Sequence, residues 1–404
     1  MDMTRLGGLW GGSKRKASVS SGDAPEESET SVLDEEQGSI IMSLISQLKF
    51  VPTHHVTQAL TMILINRIGM DLSKVTFPTF VLEPRSMLER ITDFMSHPEL
   101  VFGADQEEKA EERFIRVLMY YLSGWHVKPR GVKKPYNPVL GEFFRCRYDY
   151  SNGTRGYYIA EQVSHHPPIS AYFYISPQNG LRISGELKPK SRFLGNSVST
   201  VMDGENRVYL TRRPEDGEYH ISMPNMYARG ILFGSMILEL GDTSVAINDN
   251  TGMSCSVEFK TKGYFSGTYN AIGGRVRKGS TDVGEISGKW SHEMYYTDLA
   301  SGQRRELFNP EKAPIMPKTC LPEDKQEPNE SRRLWSKLTE AIKNKDMEGA
   351  TNAKSAVETE QRSAAHKRDE LGVSFEPRFF KCQPDGRWIP KIHVPEDPKE
   401  AEKV

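Results

Sequence analysis

Apolar residues recur at helical spacing over residues 39–48, where Ile40, Ile41, Leu44, Ile45 and Leu48 share one face. The same period predicts a helix carrying Met87, Leu88, Ile91 and Phe94, and another over 107–121 with Phe114, Val117, Leu118 and Tyr121. From Glu142 to about Thr297 the texture changes. Short alternating runs at 144–148, 181–184, 207–210, 231–233, 256–259 and 284–287 are separated by turn residues. Turns are predicted at Asn152-Gly153, Asn179-Gly180, Asp203-Gly204 and Asp216-Gly217. Many strands at short spacing predict an antiparallel meander, closed or nearly closed into a barrel large enough to hold a cavity. No fixed repeat is present, which argues against a propeller. After Pro322 the period is helical again. Leu334, Trp335, Leu338 and Ile342 mark a helix over 331–343, and a second runs from Asp346 to Leu371, with Gly372 as its stop. The expected class is α+β, with helices at both ends of the chain and a large β-barrel between them.

Residues 1–36, including Trp10 and Lys14-Arg15-Lys16, are rich in Gly, Ser and charge and have too few apolar positions to bury, so a disordered tail is expected there. Residues 37–404 read as one domain: 37–76, a helical and motif segment at 77–141, the barrel at 142–300 and the late helices at 320–404. With 53 Lys+Arg against 54 Asp+Glu, the net charge is −1. No global field holds such a chain on nucleic acid, so attraction to phosphate has to come from a local cluster. Cys146, Cys255, Cys320 and Cys382 are too widely spaced for a CxxC pair, which points to a reducing compartment. The longest apolar windows are too short to span a bilayer, and the start lacks a secretory pattern. A cytoplasmic protein is expected.

One stretch stands apart, Glu161-Gln162-Val163-Ser164-His165-His166-Pro167-Pro168-Ile169-Ser170-Ala171. Prolines lack the N–H a ladder needs and fix φ, so the strand breaks there, and His166 is held extended by the proline after it. Such a break can bring both imidazoles to a rim facing one ligand; a kinked strand end with two half-exposed histidines is the plainer alternative. The spacing is not that of a zinc site. In the last helix Lys354, Glu358 and Arg362 stand at i, i+4 and i+8 on one stripe. By itself that stripe reads equally as a solvated face of weak ion pairs.

The stretch 161–171 resembles the signature of the oxysterol-binding protein-related family of lipid-transfer domains. A second block, Lys133-Lys134-Pro135-Tyr136-Asn137-Pro138-Val139-Leu140-Gly141-Glu142, resembles that family's other marked segment. The resemblance runs from about Ser39 to near the C-terminus, and the blocks at 77–88 and 188–193 look closest to its phosphatidylserine/phosphatidylinositol 4-phosphate exchangers. It implies a near-closed barrel around a lipid tunnel, with 39–48 as the lid. It implies a phosphoinositide head-group site of Lys134, Asn137, His165, His166, Lys354, Glu358 and Arg362. It implies a phosphatidylserine head-group site of Lys134, Asn137 and Ser191. No cofactor, metal or catalytic residue is implied. Within this frame residues 49–67, with His54-His55, look inserted between lid and turn, and Phe77 replaces an expected leucine at the lid hinge.

The residue types suit the task. A phosphate monoester carries a charge of about −1.5 to −2 near neutrality. Histidines can donate N–H and take up protons, lysines add compact charge, and arginine offers a planar fork. Glu358 is expected to pin Lys354 and Arg362 from between them. Exposing two acyl chains costs on the order of 20 kcal/mol at about 0.8 kcal/mol per methylene. A carrier therefore covers the chains, and the head group decides selectivity. The expected function is non-enzymatic exchange of phosphatidylserine for phosphatidylinositol 4-phosphate, by transient peripheral contact where endoplasmic reticulum and plasma membrane meet. A sterol/phosphoinositide exchanger and a lipid sensor are the alternatives. An enzyme is disfavoured, since GxSxG, a nucleophilic cysteine motif and a metal constellation are all missing from the sequence.

Overall fold

The computed structural model describes residues 82–127, 133–230, 237–262 and 267–395. The expected tail, the lid, the 49–67 stretch, Phe77 and the 231–233 run lie outside the described residues.

The described chain starts with β1 (Leu82–Ser86), α1 (Met87–Arg90), three 3-10 segments (Ile91–Met95, Pro98–Val101 and Ala104–Gln106) and α2 (Ala110–Ser123). Strand β2 (Lys134–Tyr136) pairs in parallel with β1. The barrel follows: β3 (Phe143–Asp149), β4 (Arg155–His165), β5 (Pro168–Ser176), β6 (Leu181–Phe193), β7 (Ser197–Leu210), β8 (Glu218–Ser222) and β9 (Asn225–Arg229). It continues with β10 (Ile237–Asn248), β11 (Met253–Lys260), β12 (Ala271–Lys278), β13 (Thr281–Lys289), β14 (Met294–Asp298), β15 (Arg304–Phe308) and β16 (Lys318–Thr319). These make one 14-stranded sheet, nearly sequential from β15 back to β3, with β16 beside β3 and β9 bridging β7 and β10. Every pairing in it is antiparallel. Helices α3 (Ser331–Leu334), α4 (Ser336–Lys343) and α5 (Met347–Leu371) and the small hairpin of β17 (Phe380–Cys382) and β18 (Trp388–Pro390) complete the domain.

Period-two burial makes this a one-sided sheet. In β11, Met253, Cys255, Val257 and Phe259 are buried while Ser256, Glu258 and Lys260 are exposed. The inward set packs on the apolar face of α2, so Phe114, Leu118, Tyr121 and Trp125 share one core with Val257, Phe259, Val276 and Ile286. Arg113 fixes that helix to the β7–β8 connection by a bidentate pair with Asp216, at 2.6 Å for both bonds. A smaller outer cluster packs Phe143, Ile159, Val163 and Phe173 under Phe379, Phe380 and Trp388, so the chain end returns over the barrel wall as its Trp388 suggested.

Three expectations change. The early helix is a single α turn followed by a 3-10 segment over Ile91–Met95. The late helix of 331–343 breaks at Trp335 into α3 and α4. The turn expected at Asp203-Gly204 does not form: both residues lie inside β7, fourteen residues long. Gly204 has φ 125°, and a Cβ there would stand 2.0 Å from the carbonyl oxygen of Glu186 on β6. Its glycine serves the close approach of two strands rather than a reversal. Asn152-Gly153, Asn179-Gly180 and Asp216-Gly217 do fall at reversals, with their glycines at φ 79°, 63° and 66°.

Candidate functional site

The 161–171 stretch folds as a hairpin. Strand β4 ends at His165, β5 starts at Pro168, and the two pair across His166–Pro167, a cis peptide. Thus the prolines shape a tight reversal rather than ending the ladder. A register shift between Gln162 and Ser164 re-aims the strand end, and Ser164 Oγ donates to the Pro167 carbonyl at 2.7 Å. The two imidazoles stand edge to face with centroids 4.3 Å apart, His165 Nδ1 and His166 Nε2 sharing a hydrogen bond of 3.0 Å. Burial, reinforced by His166, lowers the pKa of His165 below the ordinary imidazole value, against the pull of Glu358.

The 133–142 block lies against this hairpin. Gly141 N donates to the Gln162 carbonyl at 3.0 Å, and Gln162 N donates to the Glu142 carbonyl at 2.8 Å. The two sequence blocks are therefore hydrogen-bonded to each other. Asn137 Nδ2 comes within 3.5 Å of His165 Nε2. Lys134, on β2, is pushed down to about 8, first by burial and then by Lys354.

Helix α5 forms the opposite wall. Asp346 caps its start by accepting from Gly349 N, and Gly372 closes its end at φ 63°. Lys354, Glu358, Gln361, Arg362, Ala365, Arg368 and Asp369 line one cavity of about 910 Å³ with Lys134, Asn137, His165 and His166. All seven residues expected at the phosphoinositide head group thus meet on one cavity, from three separate parts of the chain. Glu358 holds Lys354 at 2.7 Å, as expected, but Arg362 donates instead to Thr359 Oγ1 at 3.0 Å. Ser191 is placed elsewhere: it sits on β6, its Oγ 2.8 Å from Thr200 Oγ1 across the β6–β7 ladder, and is not among the residues lining this cavity.

The apolar part of the lining comes from Leu82, Val139, Leu140, Trp335, Leu338 and Phe375. Two signature glutamates hold these walls without lining the cavity. Glu142 is fully buried and accepts from Ser86 Oγ, from Ser331 Oγ at 2.7 Å, Trp335 Nε1 at 2.9 Å and Val139 N at 3.0 Å. Burial still pushes its pKa up, against those hydrogen bonds. Glu161 accepts from Arg378 N at 2.7 Å and Phe379 N at 2.8 Å, and so fixes the return of the chain after α5. Sequence reading missed both roles, as well as Trp335, Arg368 and Phe375. For Arg368 a signal was present, since the stripe through 354, 358 and 362 continues at helical spacing.

A seam of cations facing an apolar-floored cleft, with no nucleophile–base pair among its lining, suits an anionic head group. Comparison agrees: residues 59–343 match the model of the family described as oxysterol-binding protein. The chain belongs to the oxysterol-binding protein family. Its members are lipid-binding transfer proteins rather than enzymes. Over 383 residues the chain is 43% identical to an oxysterol-binding protein homolog, C23B6.01c, of Schizosaccharomyces pombe, covering 92% of this chain and 76% of that one. It is also 43% identical to oxysterol-binding protein homolog 7 of Saccharomyces cerevisiae, covering 89% and 80%. The fold matches the Osh1 ORD domain solved with cholesterol, at TM-score 0.70, 24% identity and coverage of 89% and 90%. It also matches the Osh3 ORD of Saccharomyces cerevisiae solved with PI(4)P, at TM-score 0.66, 20% identity and coverage of 85% and 92%. The near-closed antiparallel barrel with flanking helices expected from the sequence is this fold. Among the described residues no helix is long and apolar enough to cross a membrane, and no group of three or more His, Cys, Asp or Glu is arranged to hold a metal ion.

Proposed function

We propose that this chain carries phosphatidylinositol 4-phosphate and exchanges it for phosphatidylserine between two membranes, most simply where endoplasmic reticulum and plasma membrane lie close. The observation that carries the reading is the convergence of Lys134, Asn137, His165, His166, Lys354, Glu358 and Arg362 on one cavity. Four of these can present positive charge or N–H donors at neutral pH whatever the histidine protonation state. Lys134, Lys354 and Arg362 set against Glu358 leave a net charge of +2, which matches a phosphate dianion without any charge on the imidazoles. A head group seated there leaves its acyl chains to follow the apolar lining of Leu82, Trp335 and Leu338.

Exchange follows from competition. Moving acyl chains from a bilayer to an apolar interior is nearly neutral, so selectivity rests on the head group. A gradient of the phosphoinositide, maintained by separate enzymes that make and remove it, then drives the second lipid the opposite way. The subgroup resemblance at 77–88 and 188–193 favours phosphatidylserine over sterol as that second lipid.

The test is native mass spectrometry of the purified chain, followed by transfer assays between donor and acceptor vesicles. Co-purified phosphatidylserine, displaced one for one by phosphatidylinositol 4-phosphate, is the expected result. A bound sterol without phosphatidylserine replaces the proposal by sterol/phosphoinositide exchange. Phosphoinositide binding with no movement of either lipid between vesicles replaces it by a sensor.

A further inference from the structure

Because the barrel is antiparallel throughout, its connections alternate between two ends. The His165–Pro168 reversal, the β6–β7 link at 194–196 and the described residues 261–262 and 267–270 between β11 and β12 belong to one end, and the β14–β15 link at 299–303 belongs to the other. The end with the histidines also carries exposed apolar side chains. Leu194 at the β6–β7 tip is 50% exposed and Tyr269 is 42% exposed, its ring under Lys262 Nζ at 4.2 Å.

Among the described residues, the two most exposed large apolar side chains flank the stop of α5 at the cavity itself: Leu371 at 75% and Val373 at 57%. Gly372, Val373 and Phe375 line the cavity, so this turn is part of its rim. It is also a pre-formed turn. Val373 N donates to the Arg368 carbonyl at 3.0 Å and Gly372 N to the Asp369 carbonyl at 3.2 Å, the double bond of a Schellman cap. Such a cap holds Leu371 and Val373 outward at little further ordering cost.

We propose that this turn is a bilayer-docking wedge, with Leu371 and Val373 entering the interface beside the cavity mouth and Leu194 and Tyr269 touching the same surface. The inference rests on the carrier reading, because a lipid that cannot cross water must enter through a mouth pressed to the bilayer. The features are convex points, which insert into an interface, whereas a partner helix would need a groove. A tyrosine under a lysine suits the boundary between apolar and wet layers. Charge is a minor part of the contact: Lys367 and Arg368 are offset by Asp369 and Glu370, and His366 pairs with Glu370 at 3.2 Å. Docking by this turn is therefore set by apolar insertion and changes little with the anionic lipid content.

The experiment compares the full chain with L194D/L371D, neither residue of which lines the cavity, and with L299D, an equally simple change at the opposite end of the barrel. Flotation with phosphatidylcholine vesicles, with and without phosphatidylserine, reads docking; binding of water-soluble short-chain phosphatidylinositol 4-phosphate reads the head-group site. L194D/L371D is expected to float at least tenfold less in both vesicle types and to bind the soluble lipid like the wild type, while L299D floats normally. Equal flotation of wild type and L194D/L371D overturns the wedge, as does a wild type that does not float. A wild-type dimer that the double variant dissociates overturns it in favour of a second copy of the chain. Loss of soluble-lipid binding in the wild type, with flotation still sensitive to the wedge, removes the ligand assignment and leaves docking standing.

Discussion

Trp335 Nε1 donates to Glu142 Oε2 at 2.9 Å, joining the last residue of the 133–142 block to the break between α3 and α4. The same carboxylate takes the hydroxyls of Ser86 and Ser331. One buried side chain thus ties β1, the loop after Asn137 and the late helices into a single wall. Glu142→Ala leaves several buried donors unmatched, each worth about 1–3 kcal/mol. The expected loss of unfolding free energy is about 2–4 kcal/mol, measured by denaturant titration, with Glu142→Gln less affected. A loss below about 0.5 kcal/mol for the alanine variant would show that the wall does not depend on this carboxylate.

His165→Ala with His166→Ala removes two donors from the cavity while leaving the Pro167–Pro168 reversal in place. Soluble phosphatidylinositol 4-phosphate binding is expected to weaken at least about 100-fold, the loss of two charge-assisted hydrogen bonds of about 1.5–3 kcal/mol each. Thermal melting should move little. Retained binding in a titration would take the paired imidazoles out of the site.

Lys134 gives a pH signature. Its pKa in the ligand-free protein is pushed down to about 8. A phosphate dianion favours the ammonium, so binding raises that value. Below about pH 8 the ammonium is already present and this group adds no slope. Above it, binding must take up a proton, and affinity falls by up to about tenfold per pH unit until the raised pKa of the complex is reached. Calorimetric titration of short-chain lipid across that range reads the slope. K134M should bind more weakly at every pH and lose the decline. A flat wild-type profile would exclude this lysine from the contact.

Glu358 contacts Lys354 but not Arg362 in the hydrogen-bond pattern, so its role is to aim one cation. An i,i+4 pair contributes only about 0.3–0.5 kcal/mol to the helix. Glu358→Gln is therefore expected to leave stability unchanged within that amount and to weaken head-group binding severalfold. In a double-mutant cycle with Lys354→Met the two losses should not add. Full additivity would mean that Glu358 acts on something other than this lysine.

Gly204 tests the strand approach that replaced an expected turn. With φ 125° and the Glu186 carbonyl 2.0 Å from any Cβ, Gly204→Ala must move β6 against β7. The expected cost is about 1–3 kcal/mol of stability. An unchanged melting midpoint would mean that the ladder relaxes there freely.

The chain by itself determined the class of most of the described segments, because burial on one face forces a period that can be read in the letters. Alternation in 256–259 and a helix running from about Asp346 to Leu371 needed no coordinates, and they fall within or on β11 and α5. The proline pair and the stripe of Lys354, Glu358 and Arg362 also marked, with the family resemblance, the residues that meet at the cavity. Only the tertiary structure decided what lies between them. That the two sequence blocks bond to each other through Gly141, Glu142 and Gln162, that Glu142 and Glu161 brace walls, and that Gly204 sits mid-strand are consequences of long-range pairing. A turn glycine and a close-approach glycine look alike in sequence, since both positions select against a Cβ. A buried carboxylate declares its partners only when chain segments far apart in sequence are brought within 3 Å.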